Sequence, residues 1–495
     1  MLFRQLFNKN QALTTYNSIM SLNKILPISL LAAISLGAVP AIAQVPISNR
    51  DRVYTADQTS NTISVINPAN NTLVGRISLG NPRPNVLSAL YRGELNVHGL
   101  GFSPDHRTLA VISTGSNAVT LIDTTTNAIK GTVYIGRSPH EGFFTPDGRE
   151  LWVAVRGEDY ISVIDPEAMR EVRQIKVAKG PGMVMFSPDG KLAYICSSFT
   201  AELDVVDTRS YQVTKRIPVV SPFSPNIAIT PDGSRVWLTH KDVGKVSVVD
   251  TESMTVKAIL ETGPITNHVN FANNRLGRFA YVTVGGLNQV KVYRLGKMPE
   301  LVATITVGES PHGLWASGDG TRMYAGLENG DAVDVIDTLT QKRIGRVPVG
   351  YAPQALVYVT NAVTMGEGKA NLQPPTQMPT LNIGLTSPKG DRKAVGHVTI
   401  RQLAEVDGLE VMVRGFMPEQ EYGLYLVGDS KTQARPPEII TVWSTDKKGN
   451  GMGQALGSLR ERLRNRSTKQ HLIIAPKNAQ NPVTAAILIQ SDSHH

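Results

Sequence analysis

The feature that most constrains this chain is a repeat of about 42 residues. A short β-branched run ends seven times at the same phase, at Asn67, Asp123, Asp165, Asp207, Asp250, Tyr293 and Asp337. The intervals are 42 to 44 residues except the first, which is 56 because of an insert near residues 81–95. A period of about 40–45 residues with four strands per unit is typical of β-propeller blades. The spacing therefore predicts seven blades.

Each repeat has the pattern of an antiparallel four-stranded meander. The clearest copy is 138–180, with short apolar runs at 142–145, 151–155, 160–164 and 172–177. Pro146-Asp147-Gly148 joins its first two runs, because proline presets φ and glycine accepts a positive φ. Related turns recur in most of the other units, whereas the sixth departs from the pattern at 271–274.

The ends of the repeat array predict that the propeller is closed. The first unit begins at 52–54 with no inner strand before it, and residues 353–358 supply one extra inner-strand pattern after the seventh unit. Pairing of the N- and C-terminal strands would complete blade 1 and remove exposed sheet edges. We therefore predict an all-β fold with a seven-bladed propeller over residues 44–360.

Two tetrapeptides carry a resemblance to a known family. Tyr358-Val359-Thr360-Asn361 is the sequence that names the YVTN-family β-propeller repeats, and Tyr281-Val282-Thr283-Val284 is a near copy. Together with the repeated Pro-Asp-Gly turns, residues 51–361 resemble an exported seven-bladed YVTN-type propeller. The resemblance implies a fold more than a function, since that family includes surface-layer, periplasmic and cofactor-associated proteins.

The N-terminus, residues 1–43, has the pattern of a secretory signal peptide. Lys24 precedes an apolar run at 25–39, and Ala41-Ile42-Ala43 forms a small-residue cleavage site. The true start could be Met20, and a retained membrane anchor is the alternative. No later run of 18 or more apolar residues follows. The expected location is the periplasm, the medium or the cell surface, with no transmembrane segment after cleavage.

Two regions follow the propeller. Residues 361–380 are rich in Gly, Pro and Thr and predict a linker. Residues 381–495 contain seven short strand-like runs, at 381–385, 397–403, 409–413, 422–427, 439–443, 471–474 and 485–489. These runs predict a small β-sandwich. The basic segment 460–469 predicts a short exposed helix or loop, either a solvated face or a site for an acidic partner.

Charge and cysteine usage exclude some classes of function. The net charge of +9 is mild for 495 residues, and the propeller itself is nearly neutral, so nucleic-acid binding is only weakly supported. Cys196 is the only cysteine, which excludes an intramolecular disulfide and Cys-based metal clusters. It follows a strand pattern and is expected to be a buried, inert thiol.

Four of the ten histidines fall at one phase of the repeat. His98, His140 and His312 each lie six residues before the turn position, and His268 falls within one residue of that phase. The other units place Gly182, Pro225 and Gln354 there. This phase is the start of each inner strand, so seven equivalent positions surround one mouth of the central channel.

The histidine positions allow three interpretations. With Glu141 they could bind a small ligand or, when protonated, an anion, and the four imidazoles alone could bind Cu, Zn or Fe. Alternatively, each histidine caps its strand by bonding to a neighbouring backbone carbonyl. Copper-cluster and haem-bearing propellers use histidines at this mouth, but this chain lacks their full histidine set and a C-x-x-C-H haem motif. Arg83, Arg137, Arg156 and His240 are expected at the surface.

No catalytic motif stands out, and the repeated aspartates are expected to bond the backbone of their turns. The sequence therefore favours a non-enzymatic, exported binding or scaffold protein, expected to be monomeric, that takes a protein or small-molecule ligand on the propeller. The alternative is a metal- or cofactor-dependent oxidoreductase with its site at the histidines. A propeller lactonase is a weaker alternative, favoured by the fold alone.

Overall fold

A computed structural model describes residues 45–79, 96–374, 380–388, 390, 393–402, 407–428, 436–457, 459, 463 and 470–490. All of them belong to one compact unit, 44–495. The predicted signal peptide, the insert near 81–95 and almost all of the basic segment 460–469 lie outside the described residues.

Twenty-eight strands form seven four-stranded antiparallel blades. Blade 1 contains β1 (Arg52–Asp57), β2 (Thr62–Asn67), β3 (Thr72–Ser78) and β28 (Pro353–Val359). Blade 2 contains β4 (Val97–Phe102), β5 (Thr108–Ser113), β6 (Ala118–Asp123) and β7 (Ile129–Tyr134). Blade 3 contains β8 (Pro139–Phe144), β9 (Leu151–Val155), β10 (Tyr160–Asp165) and β11 (Arg170–Lys176). Blade 4 contains β12 (Pro181–Phe186), β13 (Leu192–Ser197), β14 (Glu202–Asp207) and β15 (Gln212–Pro218). Blade 5 contains β16 (Ile227–Ile229), β17 (Arg235–His240), β18 (Lys245–Asp250) and β19 (Thr255–Glu261). Blade 6 contains β20 (Thr266–Asn274), β21 (Gly277–Val284), β22 (Gln289–Arg294) and β23 (Glu300–Thr306). Blade 7 contains β24 (Pro311–Ala316), β25 (Arg322–Leu327), β26 (Ala332–Asp337) and β27 (Lys342–Pro348).

The local sequence explains how each blade forms. In blade 3, every residue of β8 is buried, whereas most of β11 is exposed, as expected for strands at the inside and the outside of a propeller. Gly148 has φ of 73° in the turn between the first two strands. Asp165 accepts backbone hydrogen bonds from Glu167 and Ala168, and Asp123, Asp207, Asp250 and Asp337 do the same in their turns. The prediction of turn aspartates is confirmed.

Closure occurs as predicted, in blade 1. Strand β28 pairs with β1 in the register Arg52↔Val359 and Val53↔Tyr358. The Tyr358 hydroxyl donates to the buried Asp51 carboxylate, which adds a side-chain bond between the two ends of the propeller. The predicted fold class, an all-β seven-bladed propeller closed by its terminal strands, is confirmed.

Residues 361–374, part of the predicted linker, pack against blades 1 and 2. The Ala362 carbonyl accepts hydrogen bonds from the Thr124 and Thr125 hydroxyls, and Gln373 forms an antiparallel bridge with Arg76. Ala362 and Val363 are buried. This segment is therefore fixed along the propeller rather than free.

The C-terminal region forms one continuous eight-stranded sheet. Its strands are β29 (Leu381–Thr386), β30 (Val395–Gln402), β31 (Asp407–Arg414), β32 (Glu421–Val427), β33 (Glu438–Ser444), β34 (Gly451–Gly457), β35 (His471–Pro476) and β36 (Leu488–Gln490), in the order β33-β32-β35-β36-β29-β30-β31-β34. The sheet is barrel-like and nearly closed around an apolar core. The seven predicted runs coincide with seven of these strands, and β34 is the additional one.

The sequence pattern did not predict strand β34, because this strand is rich in glycine. A Cβ at Gly453 would lie 2.8 Å from the Trp443 indole, and one at Gly451 would overlap it. The Trp443 side chain on β33 therefore covers the glycines of β34, so the two edge strands approach each other.

The C-terminal sheet contacts loops of blades 5 to 7. Arg401 forms an ion pair of 3.0 Å with Asp331, and both side chains are more than nine-tenths buried. Arg401 also donates to the Glu328 carbonyl, Arg414 donates to the Gly286 carbonyl, and Lys448 to that of Val243. No helix in the described part of the chain has the length and apolar character needed to span a membrane.

Candidate functional site

The four histidines of the predicted phase converge at the channel mouth. His98 and His140 have ring centroids 4.3 Å apart, those of His268 and His312 are 4.8 Å apart, and those of His98 and His312 are 6.2 Å apart. All four side chains are buried. We call this set the histidine cluster; it joins blades 2, 3, 6 and 7, which are distant in sequence.

A β-bulge at the start of the inner strands positions these side chains. In blade 3 the register shifts between Pro139 and Gly142, so His140 and Glu141 fall in the irregular segment. Equivalent shifts occur in the inner strands of blades 2, 6 and 7. Bulges redirect side chains, and here they allow consecutive residues to face the channel.

Two histidines are held by backbone carbonyls. His140 Nδ1 lies 2.7 Å from the Gly182 carbonyl oxygen, and His312 Nδ1 lies 2.9 Å from that of Gln354. A carbonyl can only accept, so Nδ1 carries the proton in both rings and each Nε2 is unprotonated. These bonds are the backbone caps that one interpretation of the sequence predicts.

The other two histidines accept from side-chain amides. Gln58 Nε2 lies 3.2 Å from His98 Nδ1, and Asn226 Nδ2 lies 3.2 Å from His268 Nδ1. Asn226 Oδ1 accepts from the Val269 backbone, which fixes the amide and makes its nitrogen the donor. His98 and His268 therefore carry their protons on Nε2. His98 Nε2 donates across 2.8 Å to His140 Nε2.

The cluster is neutral at physiological pH. Burial lowers the pKa of His98 and of His268 to about 3, and it holds the pKa values of His140 and His312 well below the usual range. The imidazoles would therefore not hold an anion as imidazolium ions, which is the basis that the sequence suggested. They present lone pairs and N–H groups instead.

Glu141 directly follows His140 and lies beside the histidine cluster. Its side chain is buried, and burial raises the pKa of its carboxyl well above the usual range. Its Oε1 has no hydrogen-bond partner. A cavity of about 20 Å³ adjoins Glu141 and His268, room for one water molecule. Phe143 stacks on Trp315, with ring centroids 6.1 Å apart, next to this cavity.

Two cations flank the histidine cluster. The positive charge of Arg156 acts on His98 and His140, and that of Lys241 acts on His98, His268 and His312. Both side chains are half-buried. Within the described residues neither has a carboxylate at ion-pair distance, and the Arg156 guanidinium lies 5.2 Å from the centre of the Phe223 ring.

Sequence reasoning identified the four histidines and Glu141 but missed their surroundings. Asn226, one residue after Pro225, occupies in blade 5 the position that His268 holds in blade 6. Arg156, expected at the surface, is half-buried beside the cluster, and Lys241 and Gln58 were not singled out. All three directly follow the second strand of their blades, and this shared position in the repeat is the sequence signal that marks them.

The other residues that the sequence analysis named differ in how far they are buried. His240 is wholly buried rather than at the surface, bonded to the Ser224 and Ser247 hydroxyls. Cys196 is buried as expected, and burial raises its pKa to about 12. Arg83 lies outside the described residues, whereas Arg137 pairs with Glu158 and is exposed as expected.

The fold and the site define a class of protein: a closed seven-bladed propeller with a buried, histidine-lined channel mouth and an appended barrel-like sheet. A sequence model of the YNCE-like beta-propeller family matches residues 110–362. The chain belongs to that family. Its YVTN-type motifs are consistent with this assignment.

Two solved structures share the fold at low identity, and a third matches with a lower score. A functionally unknown protein from Desulfotomaculum acetoxidans is 14% identical, with a TM-score of 0.53 over 62% of this chain and 98% of that one. A periplasmic gluconolactonase from Pseudomonas aeruginosa, PpgL, is 19% identical, with a TM-score of 0.51 over 63% and 99%. Kuenenia stuttgartiensis hydrazine synthase is 20% identical, with a TM-score of 0.49 over 56% and 92%. Among curated protein sequences, none matches this chain.

Proposed function

We propose that this protein is an exported binding propeller that takes a small oxyanion, a carboxylate or a phosphate, at the channel mouth. The observation that carries the proposal is the pair of half-buried cations, Arg156 and Lys241, beside the histidine cluster without carboxylate partners among the described residues. Partly desolvated charges without a partner favour a ligand of opposite charge.

The neutral histidines complete such a site. Asn226 keeps the proton of His268 on Nε2, so this ring is a hydrogen-bond donor at that atom. Because the cluster is neutral, it adds no repulsion against the cations and no net charge of its own. The anion would be attracted by Arg156 and Lys241 and oriented by the uncharged Nε2–H group of His268.

The test is calorimetric titration of the full mature chain with sodium D-gluconate and, separately, with inorganic phosphate, in a chloride-based buffer. Gluconate is a natural first probe because a structural neighbour of similar fold is named as a gluconolactonase. We expect saturable binding of one anion that weakens as ionic strength rises. The two titrations distinguish a carboxylate ligand from a phosphate ligand.

Charge-removing variants locate the site. Arg156→Gln and Lys241→Gln should each weaken binding about tenfold, equivalent to ~1.4 kcal/mol. Lys215→Gln and Arg170→Gln remove exposed cations from outer strands and are the matched controls. Absence of saturable binding for both anions, or equal losses in the control variants, would contradict the proposal.

The lactonase alternative is tested with the same protein. The observation that favours a lactonase is the unprotonated Nε2 of His312, because such an atom can act as a general base. Hydrolysis of glucono-δ-lactone that is lost in His312→Gln would replace the binding role with an enzymatic one. The binding proposal predicts no hydrolysis above the uncatalysed rate.

A further inference from the structure

Three potential metal ligands meet at the inner side of the histidine cluster. Ligand atoms of His98, His140 and Glu141 all lie within 4.8 Å of one another. The bulge in β8 brings the last two residues to the same place. Gly99, next to His98 on β4, leaves the room that the Glu141 carboxyl occupies, because a Cβ there would lie 3.0 Å from Glu141 Oε2.

A second, independent observation points to a ligand at this group. Glu141 is 2% exposed, yet its Oε1 has no hydrogen-bond partner. Buried polar atoms in native proteins almost always have a partner, and an exception often marks a position where an ion or a water molecule binds. The unpartnered oxygen belongs to the group that could bind a metal.

His140 is oriented as metal-binding histidines are. Its Nδ1–H donates to the Gly182 carbonyl, which fixes the tautomer and leaves Nε2 unprotonated, with a lone pair that now accepts from His98 Nε2–H. A histidine that binds a metal through one nitrogen typically donates its other N–H to a carbonyl or a carboxylate. His140 therefore needs no rearrangement of its protons to act as a ligand.

His98 can become a ligand if its proton moves from Nε2 to Nδ1. Its Nε2–H now donates to His140 Nε2 at 2.8 Å. An ion bound by both nitrogens at 2.0–2.1 Å would separate them to about 3.3 Å. The proton would move to His98 Nδ1, where the Gln58 amide, reversed to present its oxygen, could accept it.

We propose that His98, His140 and Glu141 form a three-ligand site for a divalent transition metal ion such as Zn²⁺. Two imidazoles and one carboxylate, with a fourth position open, are a donor set that zinc uses. This assignment does not depend on oxyanion binding, because it uses neither Arg156 nor Lys241. It also narrows the four-histidine metal set that the sequence suggested.

His268 is excluded from this site by its hydrogen bonds. The Val269 backbone holds Asn226 Oδ1, so the amide cannot reverse, and His268 keeps its Nε2 proton. His312 is not part of the group whose ligand atoms lie within 4.8 Å. The site therefore lies between blades 2 and 3.

The test is titration of chelator-treated, untagged protein with zinc chloride against a competing dye, and with cobalt chloride followed by visible absorption. All proteins carry His494→Ser and His495→Ser, which removes the C-terminal histidine pair. We expect one ion per chain and a cobalt spectrum of low coordination number. His140→Ala and Glu141→Gln should each weaken binding at least tenfold.

Two further variants complete the test. Gln58→Leu, which removes the acceptor for the His98 Nδ1 proton, should weaken zinc binding about 10- to 100-fold. His106→Gln, at a turn where His106 Nδ1 bonds the Thr360 carbonyl, is the matched control and should bind normally. Circular dichroism and thermal unfolding confirm that each variant is folded. Zinc binding that is absent at micromolar concentration, or that is unchanged in folded His140→Ala, would overturn the proposal.

Discussion

Gly99 on β4 packs directly against Glu141 on β8, where blades 2 and 3 meet at the channel mouth. A Cβ at position 99 would overlap the His140 carbonyl oxygen and lie 3.0 Å from both the Glu141 Cα and its Oε2. The absence of a side chain at Gly99 in blade 2 therefore makes room for Glu141 in blade 3, the only carboxyl group on the seven innermost strands that the structure describes.

Substitution of Gly99 should disturb this packing. Gly99→Ala is expected to lower the free energy of unfolding by about 1–3 kcal/mol, because the backbone on the other side cannot move as a flexible side chain can. Urea denaturation measures the effect. Gly345→Ala in β27 is the control, since the nearest atom to its new Cβ is 3.9 Å away. Equal stability of the two variants would show that blades 2 and 3 do not pack this closely.

The buried histidines should make the protein sensitive to acid. The pKa of His98 and of His268 is about 3 in the folded protein and near 6.5 when unfolded. Between these values the unfolded chain binds more protons, so stability is full above pH 6.5 and decreases as the pH falls toward 3. Each histidine contributes up to about 1.4 kcal/mol per pH unit.

Urea unfolding at pH 7 and pH 4.5 checks this prediction. The double variant His98→Gln/His268→Gln should lose less stability between the two pH values than the unmodified protein. An equal loss in both proteins would show that these imidazoles titrate normally and are therefore not buried as described.

The bond between the two ends of the propeller should contribute measurably to stability. Tyr358→Phe removes the hydroxyl that donates to the buried Asp51 carboxylate and should cost about 1.5–3 kcal/mol. Tyr134→Phe is the control, because Tyr134 is 74% exposed. A Tyr358→Phe protein as stable as the control would indicate that the β1–β28 pairing alone closes blade 1.

The repeat made the propeller predictable, because each blade encodes its strands and turns locally and the surplus strand at 353–358 has only blade 1 to complete. The C-terminal barrel-like sheet was harder to predict from the sequence. Strand β34 lacks a β-branched pattern, since its glycines accommodate Trp443 from the other edge.

The sequence predicted where the four histidines lie, but it did not predict their tautomers or their charge. Phase alone placed His98, His140, His268 and His312 together. Their tautomers depend on carbonyls and amides from other blades, and their neutrality depends on burial, neither of which is encoded in the local sequence. The charges of Arg156 and Lys241 gave no compositional signal in a chain with 50 basic residues.

The ion pair between Arg401 and Asp331 should hold the C-terminal sheet against blade 7. Asp331→Asn leaves the buried guanidinium without its counter-charge and should cost about 3–5 kcal/mol. Limited proteolysis should then cleave the segment between 374 and 381 faster than in the unmodified chain. Lys477→Gln, at an exposed ion pair with Glu421, should change stability by less than about 1 kcal/mol. Equal cleavage rates would mean that the sheet is held by its other contacts.

The most direct test of the account observes the histidine cluster during ligand binding. Selective ¹³Cε1 labelling of histidine gives one NMR signal per ring, assigned with single His→Gln variants. On titration with gluconate or phosphate, we predict that signals of the histidine cluster shift saturably, with the largest change at His268, while those of His106 and His240 stay fixed. Saturable binding that leaves all four cluster signals unmoved would contradict the assignment of the channel mouth as the binding site.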